Sequence, residues 1–238
     1  MADNEIITLD AGRVCKTLFI MSEDNPFRPS GDRAGDFGIL AAGSFVRKII
    51  LKDNAYADMI VLALPGADVS LDFRIELAGY GAGCSLCGLY LCPDHENVRI
   101  NVELDHKVPH CVSDQLFKGI VSGTARAGFY GRIVVDRDAQ KTEAYQANHS
   151  LLLSDNARVD TMPQLEIYAD DVKCSHGATI GKLDEQEQFY MRSRGIPEKE
   201  AKVLQMLSFL SPVLDRLPEG ETRDSVAAYV ENVIRLHF

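Results

Sequence analysis

The sequence is short of positive charge. Its 238 residues include 25 lysines and arginines against 35 aspartates and glutamates, which gives a formal net charge of −10. Affinity for nucleic acid rests largely on lysine and arginine contacts to phosphate, and this balance does not supply them. We therefore expect no nucleic-acid partner.

Long apolar runs are also missing. No stretch approaches the roughly 20 apolar residues that a membrane-spanning helix needs. The segment from Met1 to Glu5 lacks the basic start and apolar stretch of a signal peptide. These absences predict a cytoplasmic protein with no membrane segment. In that compartment we do not expect the six cysteines to form a disulfide framework.

Two common catalytic motifs are absent as well. The sequence contains neither a Gly-x-Ser-x-Gly elbow nor a P-loop. We expect a non-catalytic protein, and any ATPase that works with it must be a separate chain. The hydrophobic fraction of 46% is enough for a substantial core, in one large domain or in one domain with a helical appendage.

Three of the cysteines, Cys84, Cys87 and Cys92, are spaced like a metal-binding run. A structural zinc site normally needs four ligands, and His95 is the nearby candidate for the fourth. The alternative is that the three thiols are small buried residues of a strand. We favour the alternative, and the role of these cysteines stays open at this point.

Strand-like segments recur along the chain. Small or apolar residues open them at a near-constant spacing, with one longer interval before Ala157: Ala42, Ala55, Val69, Cys84, Val98, Val112, Ala125, Ala139, Ala157 and Val172. Units this short cannot bury a core alone and must stack, so the spacing predicts a solenoid with coils of about 14 residues. A β-sandwich is the alternative.

The pattern becomes helical after Gly181. Asp184 and Glu187 have the spacing of a capping box, and Gly195 suits the position just after a helix end. Pro197 is expected to open a second helix, and a third is predicted over residues 222–236.

We therefore divide the chain into an N-terminal segment (residues 1–40), a β core (41–181) and a C-terminal helical subdomain (182–238).

Several segments between about Gly66 and Ile196 resemble the SufB/SufD family, and its SufD branch most closely. They are QLEIYADDVKCSHGATIG (164–181), DQLFKG (114–119), GRIVV (131–135), AQKTEA (139–144), QAN (146–148) and LLLS (151–154). The resemblance implies a right-handed parallel β-helix followed by a small helical subdomain. It also implies a form that lacks most of the family's N-terminal region.

The resemblance further implies a scaffold subunit for iron–sulfur cluster assembly. Such a subunit works with a separate SufC-type ATPase and with either a SufB-type scaffold or a second copy of itself. No tightly bound cofactor is expected, only a transient cluster or iron in the assembled complex. In the SufB branch a cysteine linked to sulfur acceptance stands at the position of Asn148, so the chain resembles SufD there.

Two other functions stay open. One is a homodimeric SufD-like paralogue without cluster function. The other is a carbohydrate-active β-helix enzyme, which would need carboxylates lined up on one outer face. One predicted coil onward from Glu76, Glu103 and Asp105 stand a tyrosine, a phenylalanine and a glycine, so no line of acids is predicted.

Cys174 and His176 are the leading candidate site. Residues i and i+2 of a strand share a face, and a thiol beside an imidazole suits iron or zinc. Two ligands make half a cluster site, and the resemblance puts this segment near the interface with the SufB-type partner. The alternative is that Cys174 packs in the last coil and His176 hydrogen-bonds a turn.

Two contact surfaces are predicted. The edge of the last coil, at Leu165, Ile167 and Tyr168, is expected to form a dimer, because an unpaired strand edge invites pairing. The resemblance implies that the helical end receives the ATPase, and the aromatic and arginine side chains there suit an interface. These residues are Phe189, Tyr190, Arg192, Arg194 and Ile196. Phe189 and Tyr190 could instead dock their helix onto the end of the β-helix.

Overall fold

The computed structural model describes residues 3–22, 37–41, 43–66 and 68–238. The described strands are β1 Asp3–Leu9, β2 Val14–Ser22, β3 Phe37–Ala41, β4 Gly43–Leu51, β5 Tyr56–Ala63, β6 Val69–Leu77, β7 Gly83–Cys92, β8 Asn97–His106, β9 Val112–Val121, β10 Arg126–Val135, β11 Glu143–Leu152, β12 Arg158–Ile167 and β13 Lys173–Gly181. The described helices are α1 Glu185–Ser193, α2 Glu198–Leu214 and α3 Glu221–His237.

The strands form two sheets, and from β3 onward the chain alternates between them. Sheet A has the order β1-β4-β6-β8-β10-β12, and sheet B has the order β13-β11-β9-β7-β5-β2-β3. All neighbouring strands are parallel, as in the pairs β6–β8 and β7–β9. The predicted fold, a parallel β-helix followed by a helical subdomain, is confirmed.

The predicted coil length is wrong by a factor of two. One full coil runs from Val69 on β6 to its register partner Val98 on β8, and a strand of the other sheet lies between them in the chain. The predicted period therefore marks half a coil, one strand and one corner. Most predicted strand starts lie within a residue of the observed ones, but Ala139 falls in the corner before β11. Ala42 is outside the described residues.

Parallel pairing also extends beyond the predicted start of the β core at residue 41. β1 pairs with β4, and β2 pairs with β5 and β3. Strands from the predicted N-terminal segment thus belong to both sheets. Residues 1, 2 and 23–36 of that segment lie outside the described residues.

Side-chain alternation builds the interior of the β-helix. In β6 every second residue from Val69 to Leu77 is buried, while Asp72 and Arg74 point outward. Alternate residues of a strand face opposite sides of a sheet, so one row from each strand fills the space between the two sheets. The interior is largely apolar, with a T-shaped contact between Phe45 and Phe73.

The corners from sheet A to sheet B share one backbone device. All but the last, between β12 and β13, have a residue at positive φ: Gly12, Asn54, Gly81, His110 and Lys141. The backbone N–H of this residue donates to the corner of the next coil, for example from Asn54 to the Tyr80 carbonyl at 2.8 Å. Positive φ is uncommon outside glycine. At His110 and Lys141 it is held in place by these links between coils.

The N-cap and the C′ glycine of α1 are confirmed, whereas the Glu187 side chain accepts a hydrogen bond from Gln205 rather than completing a capping box. The Asp184 carboxylate accepts hydrogen bonds from the backbone of Gln186 and Glu187. Gly195 has a φ of +86°, and the Ile196 backbone N–H donates back to the Met191 carbonyl at 3.2 Å. This is the Schellman arrangement that satisfies the last carbonyls of a helix.

Pro197 occupies the N-cap of α2 rather than its first helical position. None of the helices in the described part of the chain is long and apolar enough to cross a membrane.

α2 and α3 cover the outer face of sheet B. Val203, Met206 and Leu210 of α2 pack with Leu89 and Ile120 of the sheet. This second core lies outside the β-helix. It fixes the helical subdomain to one side of the solenoid and leaves α1 as the more exposed helix.

The three closely spaced cysteines do not converge. Cys84 and Cys92 face the interior, whereas Cys87 faces the other way, beneath the helices. Burial raises the pKa of both Cys84 and Cys87 to about 12. The structure therefore supports the interpretation as small buried residues of a strand.

Interior packing leads to a first prediction. A Cβ added at Gly119 would lie 1.8 Å from the Tyr90 ring, which crosses this glycine inside the β-helix. We expect Gly119→Ala to lower the free energy of unfolding by about 1–3 kcal/mol, as over-packed cores do. Gly181→Ala is the control, because a Cβ there meets no atom within 4 Å. Urea titration of both variants checks this, and equal midpoints would contradict it.

Candidate functional site

The C-terminal end of the β-helix is open in the described chain. β12 pairs only with β10 in sheet A, and β13 pairs only with β11 in sheet B. Interior-facing side chains that another coil would cover are therefore accessible. Ile167 is 42% exposed and Ile180 is 45% exposed.

Cys174 and His176 lie at this open end on the interior-facing side of β13. Their register partners on β11 are Ala144 and Gln146, whose side chains are buried inside the β-helix. Cys174 is half-buried against the core, and burial raises its thiol pKa. His176 is exposed. The spacing thus brings a thiol and an imidazole to one face, as predicted, at the rim of the solenoid.

The pair is incomplete as a metal site. Among the residues that the structure describes, no group of three or more histidine, cysteine, aspartate or glutamate side chains could hold a metal ion. Iron–sulfur clusters usually take four protein ligands. The described chain thus offers two ligands at an accessible rim, and the role of the pair stays a prediction.

The interior beneath this rim is polar, which our sequence analysis missed. Gln146 Nε2 donates to Gln115 Oε1 at 2.9 Å. The Ser150 hydroxyl lies 2.7 Å from the Tyr90 hydroxyl and donates to Asn148 Oδ1 at 3.3 Å. The signal was available, because Gln146, Asn148 and Ser150 alternate along one strand at the interior-facing positions.

A buried histidine lies deeper in the same interior. His106 is fully buried, and its Nε2 lies 2.9 Å from the Ser113 hydroxyl. Burial lowers the pKa of its imidazole to about 4, because the charged form loses its hydration there. His106 therefore stays neutral in the folded protein at neutral pH.

The predicted dimer edge is accessible at two of its three residues. Leu165 packs partly against the core of the β-helix. Ile167 lies at the last interior-facing position of β12, and Tyr168 just beyond it is 60% exposed. The Tyr168 hydroxyl donates to a Glu166 carboxylate oxygen at 3.2 Å. The use of this edge in dimerisation stays a prediction.

The predicted ATPase-binding residues cluster on α1. Phe189 is 72% exposed and Tyr190 is 58% exposed, so neither side chain docks α1 onto the β-helix, and that alternative is wrong. The Arg194 guanidinium lies over the Tyr190 ring, 5.2 Å from its centre, and Arg192 forms an ion pair with Glu198 at 3.7 Å. Ile196 is half-buried.

A cavity of about 520 Å³ adjoins this cluster between α1 and α2. Tyr190, Met191 and Leu204 line it with polar neighbours from both helices. α1 itself has no buried residue. The cluster and the cavity together form an apolar surface that the described chain leaves uncovered.

The prediction that no acids neighbour each other across coils, made for the carbohydrate alternative, is wrong. With the true coil length, Glu76 lies beside Asp105 in the register of sheet A, so these acids do neighbour each other across coils. Lys107 Nζ lies 3.6 Å from the Asp105 carboxylate and 3.3 Å from Asp136. Neither acid of the pair lines the cavity on this face, so the pair does not form a hydrolytic site there.

Comparison with known families agrees with this architecture. Residues 44–209 match the family described as "SUF system FeS cluster assembly, SufBD core domain". The match covers most of the β-helix, α1 and the first part of α2. The chain belongs to this family.

Individual relatives are named for the same process. The chain is 37% identical over 182 residues to the iron–sulfur cluster assembly protein SufD of Escherichia coli, covering 76% of this chain and 43% of that protein. It is 41% identical over 146 residues to an iron–sulfur cluster assembly SufBD family protein of Synechocystis, covering 60% of this chain and 31% of the relative. The chain thus spans less than half the length of these curated relatives.

The buried imidazole leads to a second prediction. The unfolded chain takes up a proton at His106 near the ordinary pKa of 6.5, but the folded protein does so only near 4. The stability that neutral His106 contributes is therefore present above pH 6.5 and is lost as the pH falls towards 4. The loss is about 3 kcal/mol.

Urea titrations between pH 7 and pH 4 check this in the parent, in His106→Gln and in the exposed control His95→Gln. We expect His106→Gln to lose stability less steeply on acidification than the other two proteins. The same pH dependence in all three would contradict the assignment.

Proposed function

We propose that this chain is a scaffold subunit of a Suf-type iron–sulfur cluster assembly machine. In this proposal it works with a separate SufC-type ATPase and a SufB-type scaffold. The observation that carries the proposal is the open end of the β-helix, where a half-buried thiol and an exposed imidazole share one face of the last strand. Family membership gives this geometry its chemical context.

The cluster in this proposal is cargo held between subunits. Cys174 and His176 supply two ligands, and the partner supplies the others, because the described chain does not bring a third ligand to the rim. The unpaired edges of β12 and β13 place the pair where a second β-helix would continue the sheets.

The remaining parts of the proposal follow from the surfaces. The exposed aromatics of α1 and the cavity beside them receive the ATPase. The open end pairs with the SufB-type scaffold, or with a second copy of the chain when that scaffold is missing. The six cysteines are all free thiols, which supports a reducing compartment such as the cytoplasm.

The cargo site is tested by removing its ligands. In complexes reconstituted anaerobically with a SufC-type ATPase and a SufB-type scaffold, Cys174→Ala and His176→Ala should each lower the iron and sulfide bound per complex. Complex formation should persist, because both residues lie at an accessible rim. Cys15→Ala is the control, since Cys15 is also a half-buried free thiol and lies on β2, far along the sheet from β13.

A structural role gives the opposite result. If the pair is only structural, Cys174→Ala and His176→Ala lower the melting temperature or the yield of complex and leave the iron per complex unchanged. Variants that assemble and load iron like the parent would also contradict the assignment of these two residues as cluster ligands.

The ATPase surface is tested at its two arginines. The double variant Arg192→Ala, Arg194→Ala should bind the ATPase at least about tenfold more weakly, or about 1.4 kcal/mol, as interface arginines often do. Its stability should change by no more than about 0.5 kcal/mol, because both side chains are exposed. Calorimetric titration measures the affinity, with the exposed Arg13→Ala, Arg137→Ala pair as control. Unchanged affinity would refute this surface.

The dimer edge is tested by adding charge. Ile167→Asp with Tyr168→Asp should dissociate the dimer at micromolar concentration, because charges buried at an interface without partners cost several kcal/mol. Light scattering reports the mass. Ile6→Asp is the control, since Ile6 is 71% exposed and lies on β1, the other edge of sheet A. If the parent chain neither dimerises nor binds the SufB-type scaffold, the prediction that this edge is an interface is wrong.

A further inference from the structure

The outer face of sheet A carries an arginine cluster, formed by Arg99, Arg126 and Arg158. These residues lie on the neighbouring strands β8, β10 and β12, and all three are exposed. The helical core packs on the opposite sheet. The arginine cluster is therefore open to a partner.

Two members of the cluster are placed unfavourably for the isolated chain. Arg126 and Arg158 are directly opposite each other in the register of β10 and β12. Neighbouring strands lie about 4.8 Å apart, and like charges directly opposite each other destabilise a sheet. The arrangement has an energetic cost that an anionic partner would relieve.

The Asp160 carboxylate lies on the same face of β12, two residues from Arg158, but it forms no ion pair with the cluster. Within the described residues, Arg99, Arg126 and Arg158 make no ion pair with a carboxylate. Two other arginines of the same face do: Arg74 lies 3.3 Å from the Asp72 carboxylate, and Arg132 lies 3.4 Å from that of Glu166. In a chain of net charge −10, three neighbouring arginines without a carboxylate partner are conspicuous.

Arg99 is held in position by an aromatic ring. Its guanidinium lies 5.0 Å from the centre of the Tyr130 ring, and the ring itself folds over Gly128. Gly128 is the register partner of Arg99 on β10, so its missing side chain makes room for this stack. The cation–π contact orients the guanidinium and leaves N–H groups free to donate.

A cavity of about 430 Å³ lies next to the cluster on the same face. Its lining is mixed: Arg99, the Tyr130 ring and Met162 are joined by the charged side chains of Asp72, Arg74, Glu103 and Arg132. Met162 is 54% exposed. The face therefore combines arginines that have no carboxylate partner with an adjoining hollow in which Met162 and the Tyr130 ring supply apolar surface.

We propose that this face is the docking surface for an acidic segment of a partner protein, one that carries an apolar side chain beside its carboxylates. Guanidinium groups match carboxylates through paired hydrogen bonds. Alternate side chains of an extended peptide are about 6.8 Å apart, comparable with the spacing of the cluster across and along the strands. The apolar side chain fills the hollow beside Met162. This surface is separate from α1 and from the open end, and it goes beyond the proposed function.

The test uses the full chain and a fluorescein-labelled peptide of sequence EELEEL. Fluorescence anisotropy should show saturable binding that weakens at high salt. Arg126→Gln with Arg158→Gln should weaken it at least about tenfold. Arg13→Gln with Arg137→Gln removes the same charge at exposed arginines in two corners, away from the cluster and its cavity, and it should change affinity less than about threefold.

A second measurement separates docking from general charge. Arg158→Glu places opposite charges across β10 and β12, so it should raise the melting temperature of the free chain while it abolishes peptide binding. Equal loss of affinity in the two double variants would overturn the proposal. Binding of inorganic phosphate or of anionic phospholipid vesicles at the arginine cluster, without binding of EELEEL, would also overturn it.

Discussion

The parallel hydrogen bonding between successive coils is the interaction on which the rest of the structure depends. From β4 to β11, each strand pairs with the strand one coil before and one coil after it, and the corner residues at positive φ repeat this link. No coil can bury its interior-facing row without its neighbours. A solenoid built this way is stable in its middle and incomplete at its ends, and the candidate cluster site lies at one of those ends.

The helical subdomain completes a different surface. Its apolar residues cover the outer face of sheet B and leave both the last coil and sheet A free. The chain therefore has three separate surfaces, at the rim of the solenoid, on α1 and on sheet A. Under the proposed function, partners bound at these three surfaces would not overlap.

The sequence predicts the local features well, because each depends on few residues. Asp184 and Gly195 mark the ends of α1 through capping geometry, and the i, i+2 spacing of Cys174 and His176 fixes their common face. The coil length could not be obtained in the same way. Strands of sheet A and strands of sheet B show the same alternation of apolar and polar residues. The spacing of the strand starts therefore does not reveal that the chain changes sheet at the corners.

Tertiary placement explains the other misses. For Phe189 and Tyr190 the sequence left docking onto the β-helix open as an alternative, and only the position of α1 outside both cores excludes it. Glu76 and Asp105 are neighbours only once the register between coils is known. The polar row at Gln146, Asn148 and Ser150 was visible as alternation, but its direction depends on which side of β11 faces the interior.

The shared register also governs how a protein of this kind can change its length during evolution. The paired strands from β6 onward have nearly constant length, but the chain between register partners does not: it is shorter from Gly43 to Val69 than from Arg126 to Arg158. A single residue inserted within a strand would turn the following side chains to the wrong face. Insertions and deletions are therefore tolerated in the corners or as whole coils, so family members can gain or lose a rung without changing the geometry of the open end.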